Sequence, residues 1–427
     1  MNKPRSTWLT AAGAALAGLA GLLLPVLGPA GEAEAAATGI HVAQGRVYEA
    51  NGNEFVMRGV NHAHTWYPEQ TGAIADIAAT GANTVRVVLS SGDRWTRTSA
   101  SEVSSLIAQC KASKVICVLE VHDTTGYGED GAAASLDKAV DYWIGVKSAL
   151  QGQEDHVVVN IGNEPFGNSN YAAWTDATKN AIGRLRGAGF GHALMVDAPN
   201  WGQDWSHTMR DNAASVFAAD PDRNTVFSIH MYGVYDTAAE VQSYLGHFVN
   251  SGLPIVVGEF GDRHSDGNPD ENAIMATAQS LKVGYLGWSW SGNGSGVEYL
   301  DMVDGFDADA LTTWGNRLVH GANGIAATSK PATVYGGTGG GTGGTAPNGY
   351  PYCVAGGASD PDGDGWGWEN NRSCVVRGSA ADTGTGGGTA PNGYPYCAGG
   401  GASDPDGDGW GWENNRSCVV RGSAADR

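Results

Sequence analysis

At 427 residues the chain exceeds one average domain, and a single large α/β domain with small appendages fits that length. A formal net charge of −20 and a pI near 4.8 argue against nucleic acid or an anionic membrane as partner, since both would repel it. Only 16% of residues are charged while Trp reaches 14, so stacking rather than ion pairing is the available mode of recognition, which suits sugars.

Lys3 and Arg5 precede an apolar Ala/Leu/Gly run that ends near Pro25, and AEAAA, Ala33 to Ala37, offers A-x-A sites. This reads as a secretory signal over residues 1–37. A membrane anchor is the weaker reading, because Gly and Pro interrupt the run and no basic stop-transfer cluster follows. The mature chain is therefore expected to be secreted, extracellular and free of the membrane, where its six cysteines can form disulfides. A monomer is assumed.

Short apolar runs then alternate with longer helix-like stretches, the signature of βα units around a parallel sheet. The predicted strands are Glu54–Ala63, Thr84–Ser90, Val115–Asp123, Val157–Glu164, Ala193–Asn200, Thr225–Tyr232, Pro254–Gly261 and Tyr285–Gly292. Between them SEVSSLIAQCKAS, LDKAVDYWIGVKSAL, YAAWTDATKNAIGRLRGAG and DENAIMATAQSL carry apolar residues at three-to-four spacing. Eight such units imply a closed (β/α)8 barrel over 38–335. Cys110 and Cys117 stand at the end of a helix and in the next strand, where a bridge and a buried thiol pair are both open.

Past Tyr335 comes GGTGGGTGG, a flexible linker over 336–344. Two near-copies follow, 345–382 and 389–427, joined by TGTGGG at 383–388. Each is too short for an ample core, so Cys353 with Cys374, and Cys397 with Cys418, are expected to staple them. Trp366 and Trp368, matched by Trp410 and Trp412, are two apart and share a face if extended. Tyr350 and Tyr352, matched by Tyr394 and Tyr396, repeat that spacing. Four large aromatics in so small a module favour an exposed sugar-binding platform over a core. DPDGDG, at Asp360 and Asp404, opens like a calcium loop, but its twelfth position is Asn371 or Asn415; a solvated turn is the simpler account, with structural calcium kept as an alternative. The acidic stretch Asp262 to Glu271 is a second weak calcium candidate.

The predicted strands end in Asn61, Arg86, His122, Glu164, Asn200, His230, Glu259 and Trp288, all on the barrel face where active sites are built. Glu164 and Glu259, on the fourth and seventh strands, suggest glycosidic cleavage: one carboxyl donates a proton, the other attacks or activates water. Asn163 is placed to hold a sugar hydroxyl, and Arg86 and Tyr232 to hydrogen-bond Glu259 and keep it ionised. His122 and His230 are not expected to bind a metal, since no HxH or HExxH pattern accompanies them; His62 and His64 have HxH spacing, but loop or subsite hydrogen bonds explain them more simply. Trp288 is a candidate floor for the sugar, and Trp66, Trp201 and Trp205 follow other strands and offer stacking further along a cleft or loop packing. Trp143 and Trp174 fall in helices and read as core.

RGVNHAHTWY, TVRVVLS, VLEVHD, IGNEP, SIHMY, VGEFG and GWSWSG appear in this order, and the segment resembles glycoside hydrolase family 5, within it most closely the bacterial endo-β-1,4-mannanases. The resemblance implies a retaining enzyme with Glu164 as acid/base and Glu259 as nucleophile. It also implies Arg86, His122, Asn163, His230, Tyr232 and Trp288 as the supporting shell, mannan as substrate and no required cofactor. Retention places the two carboxyl groups on the order of 5 Å apart. WGWENNRSC resembles the family 10 carbohydrate-binding modules, which implies an insoluble polysaccharide, cellulose or mannan, as a further partner. A β-1,4-glucanase on the same fold, or a non-catalytic carbohydrate-binding protein, are the alternatives.

Overall fold

The computed structural model describes residues 39–335 apart from Ser295, and in the repeats residues 350, 352–353, 365–369, 372–376, 390–392, 394, 396–397, 403–404, 406–413 and 416–426. The signal segment, both linkers and most of the first DPDGDG turn lie outside the described residues. Among the described residues no helix is long and apolar enough to cross a membrane.

In chain order the elements are β1 (His41–Ala43), β2 (Arg46–Tyr48), β3 (Arg58–His62), α1 (Ala73–Ala79), β4 (Thr84–Leu89), α2 (Ala100–Ala112) and β5 (Ile116–Val121). Then come α3 (Leu136–Gly145), α4 (Lys147–Leu150), β6 (Val157–Asn160), α5 (Trp174–Gly187), β7 (Leu194–Asp197), α6 (Thr208–Ala219) and β8 (Thr225–Met231). The barrel finishes with α7 (Ala238–Asn250), β9 (Ile255–Phe260), α8 (Glu271–Leu281), β10 (Gly284–Gly287), α9 (Thr313–His320) and α10 (Ile325–Thr328). Strands β3 to β10 pair in sequence and β10 closes on β3, every pair parallel, so the expected eight-stranded barrel is the fold.

Strand periodicity explains how one barrel interior is apolar below and polar above. Val118, Val158, Met195, Val226, Val256 and Leu286 fill the lower interior. Two residues further along four of these strands stand Glu120, Asn160, Asp197 and Ser228, all buried. The hairpin β1–β2 floors the barrel, with Val42 and Val47 packed against that lower cluster beside Ile40, Phe55 and Met57. The outer core lies between strands and helices, where Trp143 and Trp174 are fully buried as expected.

Several boundaries fall short of the sequence expectation. The predicted strand Glu54–Ala63 is ordered as β3 only from Arg58, and Tyr285–Gly292 only as Gly284–Gly287. Strand β6 ends at Asn160, not Glu164: the chain leaves the ladder at Gly162, where a Cβ would meet Thr124 Oγ1 at 2.7 Å. The helix expected over LDKAVDYWIGVKSAL breaks after Gly145 at Val146, a glycine followed by a β-branched residue. Cys110 and Cys117 are buried thiols with their sulfurs 2.7 Å apart.

In the repeats β11 (Trp366–Glu369) pairs with β12 (Arg372–Val375), and β13 (Trp410–Glu413) with β14 (Arg416–Val419), both antiparallel. Cys353–Cys374 and Cys397–Cys418 are disulfides, each spanning 21 residues of sequence. Loops of that size stabilise a module by about 3 kcal/mol through the unfolded chain, a large contribution where the core is this small.

Candidate active site

Seven polar side chains meet at the upper end of the barrel, and Arg86 on β4 is their hub. It is fully buried, and its guanidinium donates to Asn160 Oδ1 (2.8 Å), Asn61 Oδ1 (2.9 Å), Glu259 Oε1 (2.8 Å), Asn163 Oδ1 (2.7 Å) and Asp197 Oδ2 (3.0 Å). Glu120 adds a third carboxylate 3.8 Å away. Burial opposes the Arg86 charge, but Glu120, Asp197 and Glu259 outweigh it and hold the proton more firmly than usual. The guanidinium's fixed fork suits this role, since one side chain satisfies five planar acceptors at once.

Glu259 lies within β9 and is almost wholly buried. Tyr232, just past β8, donates its hydroxyl to Glu259 Oε2 at 3.0 Å. Both expected partners of Glu259 are thus in place. Their effect on its charge is smaller than expected: burial drives the carboxyl up, His230 and Arg86 pull it back, and the net direction stays above the ordinary glutamate value.

Glu164 stands four residues beyond β6, in a turn where its own φ is +39°. Gly126 donates its backbone N–H to Glu164 O (3.1 Å), and Thr124 Oγ1 donates to Asn163 O, which fixes the turn. His230 Nδ1 lies 2.8 Å from Glu164 Oε1 and 3.5 Å from Glu259 Oε2, so one imidazole spans both acids. Its Nε2 is 3.3 Å from Asp197 Oδ2. Burial disfavours a charged His230, but Glu259 and Asp197 overcome it and raise the imidazole to about 10. Gly202 permits this packing, because a Cβ there would sit 2.6 Å from His230 Nδ1. One acidic oxygen from each of Glu164 and Glu259, with a His230 nitrogen, lies within 4.8 Å of the others.

Two cavities share Glu164, Tyr232 and His264 and so form one cleft across the acids. The larger, about 540 Å³, is lined by Trp66, His122, Asn163, Glu259 and Trp288 among others. Trp288 stacks on His122, ring centres 5.6 Å apart, and its indole N–H is held by Asn293 Oδ1 at 2.8 Å. Trp66 meets His122 edge-on at 5.1 Å. The smaller cavity, about 290 Å³, holds Trp201 and Trp205. Trp205 is 48% exposed with its N–H fixed by Asn168 Oδ1, and Trp201 donates to Glu129 Oε2. Every barrel residue singled out for substrate contact therefore lines this cleft except Arg86 and His230, which lie beneath it.

Asn200 lines the smaller cavity rather than the bed around Arg86: it follows β7 by three residues, and its side-chain oxygen accepts from Ser206. The strand-end group from β7 is Asp197. Sequence reasoning also missed Glu120, Asn160, Trp95, His264 and Asn293. The first two were legible as polar residues in inward register on otherwise apolar strands. The acidic stretch after β9 has local partners: Asp266 accepts from Gln203 (2.8 Å) and contacts His264, and Asp270 caps α8 through Ala273 N (2.9 Å).

In the second repeat Tyr394 and Trp410 are exposed and meet edge-to-face at 4.8 Å, and Tyr350 and Trp366 repeat that contact in the first. Tyr396 differs: its hydroxyl donates to Asp426 and Arg421 covers its ring at 4.0 Å. Tyr352 bridges to Val375, while the side chains of Trp368 and Trp412 lie outside the described residues. Asp404 accepts backbone N–H groups from Gly407, Asp408 and Gly409, closing the DPDGDG turn on itself.

The profile of the family described as Cellulase (glycosyl hydrolase family 5) matches residues 48–294, and that of a cellulose or protein binding domain matches 342–376 and 387–420. The chain is 80% identical over 384 residues to a mannan endo-1,4-β-mannosidase of Streptomyces lividans, covering 90% of this chain and all of that one. A β-mannanase from Thermomonospora fusca superposes with a TM-score of 0.69 at 63% identity, over 70% of this chain and all of the other. The mannohexaose complex of that T. fusca enzyme gives 0.68 at 62% identity over the same shares. The two acids, their buried cationic bed and the profile across the barrel agree: the chain belongs to glycosyl hydrolase family 5.

Proposed function

We propose that the protein is a secreted endo-β-1,4-mannanase acting by double displacement, with residues 1–37 as signal, 38–335 as catalytic barrel, and two carbohydrate-binding modules, 345–382 and 389–427, on the linkers 336–344 and 383–388. The observation that carries the mechanism is the spacing of the acids. Oxygens of Glu164 and Glu259 within 4.8 Å of each other fit the close spacing of retaining glycosidases rather than the roughly 6.5–9.5 Å that inversion needs, which favours direct attack. Glu259 attacks the anomeric carbon while Glu164 gives its proton to the leaving oxygen; Glu164 then takes a proton from the water that releases the glycosyl-enzyme. His230 supports both steps. Its Nδ1–H occupies Glu164 Oε1, leaving Oε2 for the travelling proton, and its charge favours the ionised form of Glu259. This chemistry uses the chain's own groups and calls for no cofactor.

Mannan as substrate is supported by the mannanase names of the relatives and by the mannohexaose bound to a protein of 62% identity. Trp288 beside His122 offers an aromatic wall to a pyranose at the cleavage point, and Trp201 and Trp205 extend it. The test is reducing-end release from mannan against soluble cellulose. Clear preference for mannan is expected; equal or greater release from cellulose would replace this reading with a β-1,4-glucanase.

A further inference from the structure

Glu120 is a carboxylate with no exposed surface, at the inward-facing position of β5, and the mechanism above does not use it. Its Oε1 lies 2.8 Å from His122 Nδ1, and its Oε2 has no hydrogen-bond partner. A carboxylate this deep is costly unless its charge is used. Arg86 at 3.8 Å is already committed to five nearer acceptors, so the short contact of Glu120 is the one to His122. His122 also lines the larger cavity together with Glu259, with Trp288 stacked on its ring and Trp66 edge-on to it.

We propose that Glu120 is a positioning residue: by accepting from His122 Nδ1–H it fixes the ring plane and keeps Nε2–H directed into the cleft as a donor to a sugar hydroxyl. A neutral imidazole carries one proton, and with it on Nδ1 toward Glu120 the Nε2 edge is bare; the Nε2–H donor therefore needs the doubly protonated ring, which the buried Glu120 carboxylate 2.8 Å away stabilises. The groups that face His122, which directly follows β5, are Glu120 from β5, Arg86 from β4, Glu259 from β9, and the rings of Trp66, Trp95 and Trp288. Burial and Arg86 oppose a charge on the ring; Glu120, by proximity and hydrogen bond, and Glu259 more than offset them, so His122 holds its second proton above the ordinary histidine range. The pair therefore presents a charge-assisted donor, the stronger kind of hydrogen bond to a sugar oxygen.

The proposal rests on the glycosidase reading for its substrate, but its first test does not. In the full chain labelled with ¹⁵N-histidine, the resonance lost in His122→Asn is expected to show both nitrogens protonated at pH 6.5, and to titrate at lower pH in Glu120→Gln. A wild-type His122 that is neutral at pH 6.5, or a titration unmoved by Glu120→Gln, overturns the proposal whatever the substrate is. The second test is a double-mutant cycle on kcat/KM with a mannan oligosaccharide. Glu120→Gln is expected to lower it ten- to hundredfold, the worth of one charge-assisted hydrogen bond, and to have little further effect in the His122→Asn background. Equal losses in both backgrounds mean that Glu120 acts on the fold instead and reject the positioning role. Glu120→Asp, which keeps the charge, is expected to recover part of the loss.

Discussion

Replacing Arg86 by Lys probes the bed beneath the acids while keeping its charge. Arg86 makes five close contacts, to Asn160, Asn61, Glu259, Asn163 and Asp197. A lysine has three donors on one atom and cannot span that fork, so at least two buried acceptors lose their partner. Each such loss costs about 1–3 kcal/mol, so stability should fall by a few kcal/mol, visible as a lower Tm. The Glu259 contact at 2.8 Å corresponds to roughly 6 kcal/mol at an effective dielectric of about 20. Desolvation of both partners takes back most of that. A net loss of about 1.4 kcal/mol on the ionised carboxylate moves its titration by about one pH unit. The sign is fixed: burial already holds the Glu259 carboxyl high, and weakening its cation raises it further. Below its titration point Glu259 carries a proton and cannot attack, so the acidic limb of kcat/KM should move up by about one pH unit while the basic limb stays. The assay is initial rate on a mannan oligosaccharide from pH 4 to 9, beside thermal unfolding. An acidic limb unmoved in a folded Arg86→Lys enzyme would refute the electrostatic role given to Arg86.

Three further outcomes follow from the same geometry. Glu259→Gln keeps the volume and the Tyr232 contact but removes the nucleophile, so turnover should fall by at least about 10⁴-fold, a loss comparable with removing a covalent nucleophile elsewhere, while adsorption to insoluble polysaccharide persists; near-normal rates would reject the assignment. Trp288→Ala removes the wall beside His122 and should cost roughly fivefold or more in kcat/KM on oligosaccharides, consistent with the ~1 kcal/mol and upward of an aromatic contact, with little change in Tm because the residue is only half-buried. Ending the chain after Tyr335 should spare hydrolysis of soluble mannan and abolish retention on insoluble mannan or cellulose. Ending it after Asp382 should give intermediate retention, weaker than the full chain by about a hundredfold or more if both modules engage together.

The barrel was legible because eight apolar runs ended in polar groups at regular spacing, and period-2 packing leaves few other arrangements for such a chain. Glu259, read as a strand-end acid, is the penultimate residue of β9. Glu164 was found for a partly mistaken reason: apolar Ile161 extended the run on paper, but Gly162 and the packing of Thr124 turn the chain before the acid arrives. Glu120, Asn160 and Asp197 are each one polar residue in an apolar strand, a signal of inward register, but their convergence on Arg86 emerges only in the closed barrel. The floor hairpin β1–β2 is two strands of three residues, too short for any periodicity to register. In the second repeat, even spacing put Tyr394 and Tyr396 on one footing, whereas tertiary contacts with Arg421 and Asp426 separate them.

The central claim is that Glu259 attacks the sugar directly from within 4.8 Å of Glu164. The most direct measurement is the anomeric configuration of the first-formed reducing end, followed by proton NMR during the first minutes of mannohexaose cleavage. The account predicts the β-anomer first, with the α-anomer growing in only by mutarotation; an initial α-anomer would mean single displacement by water and would contradict it.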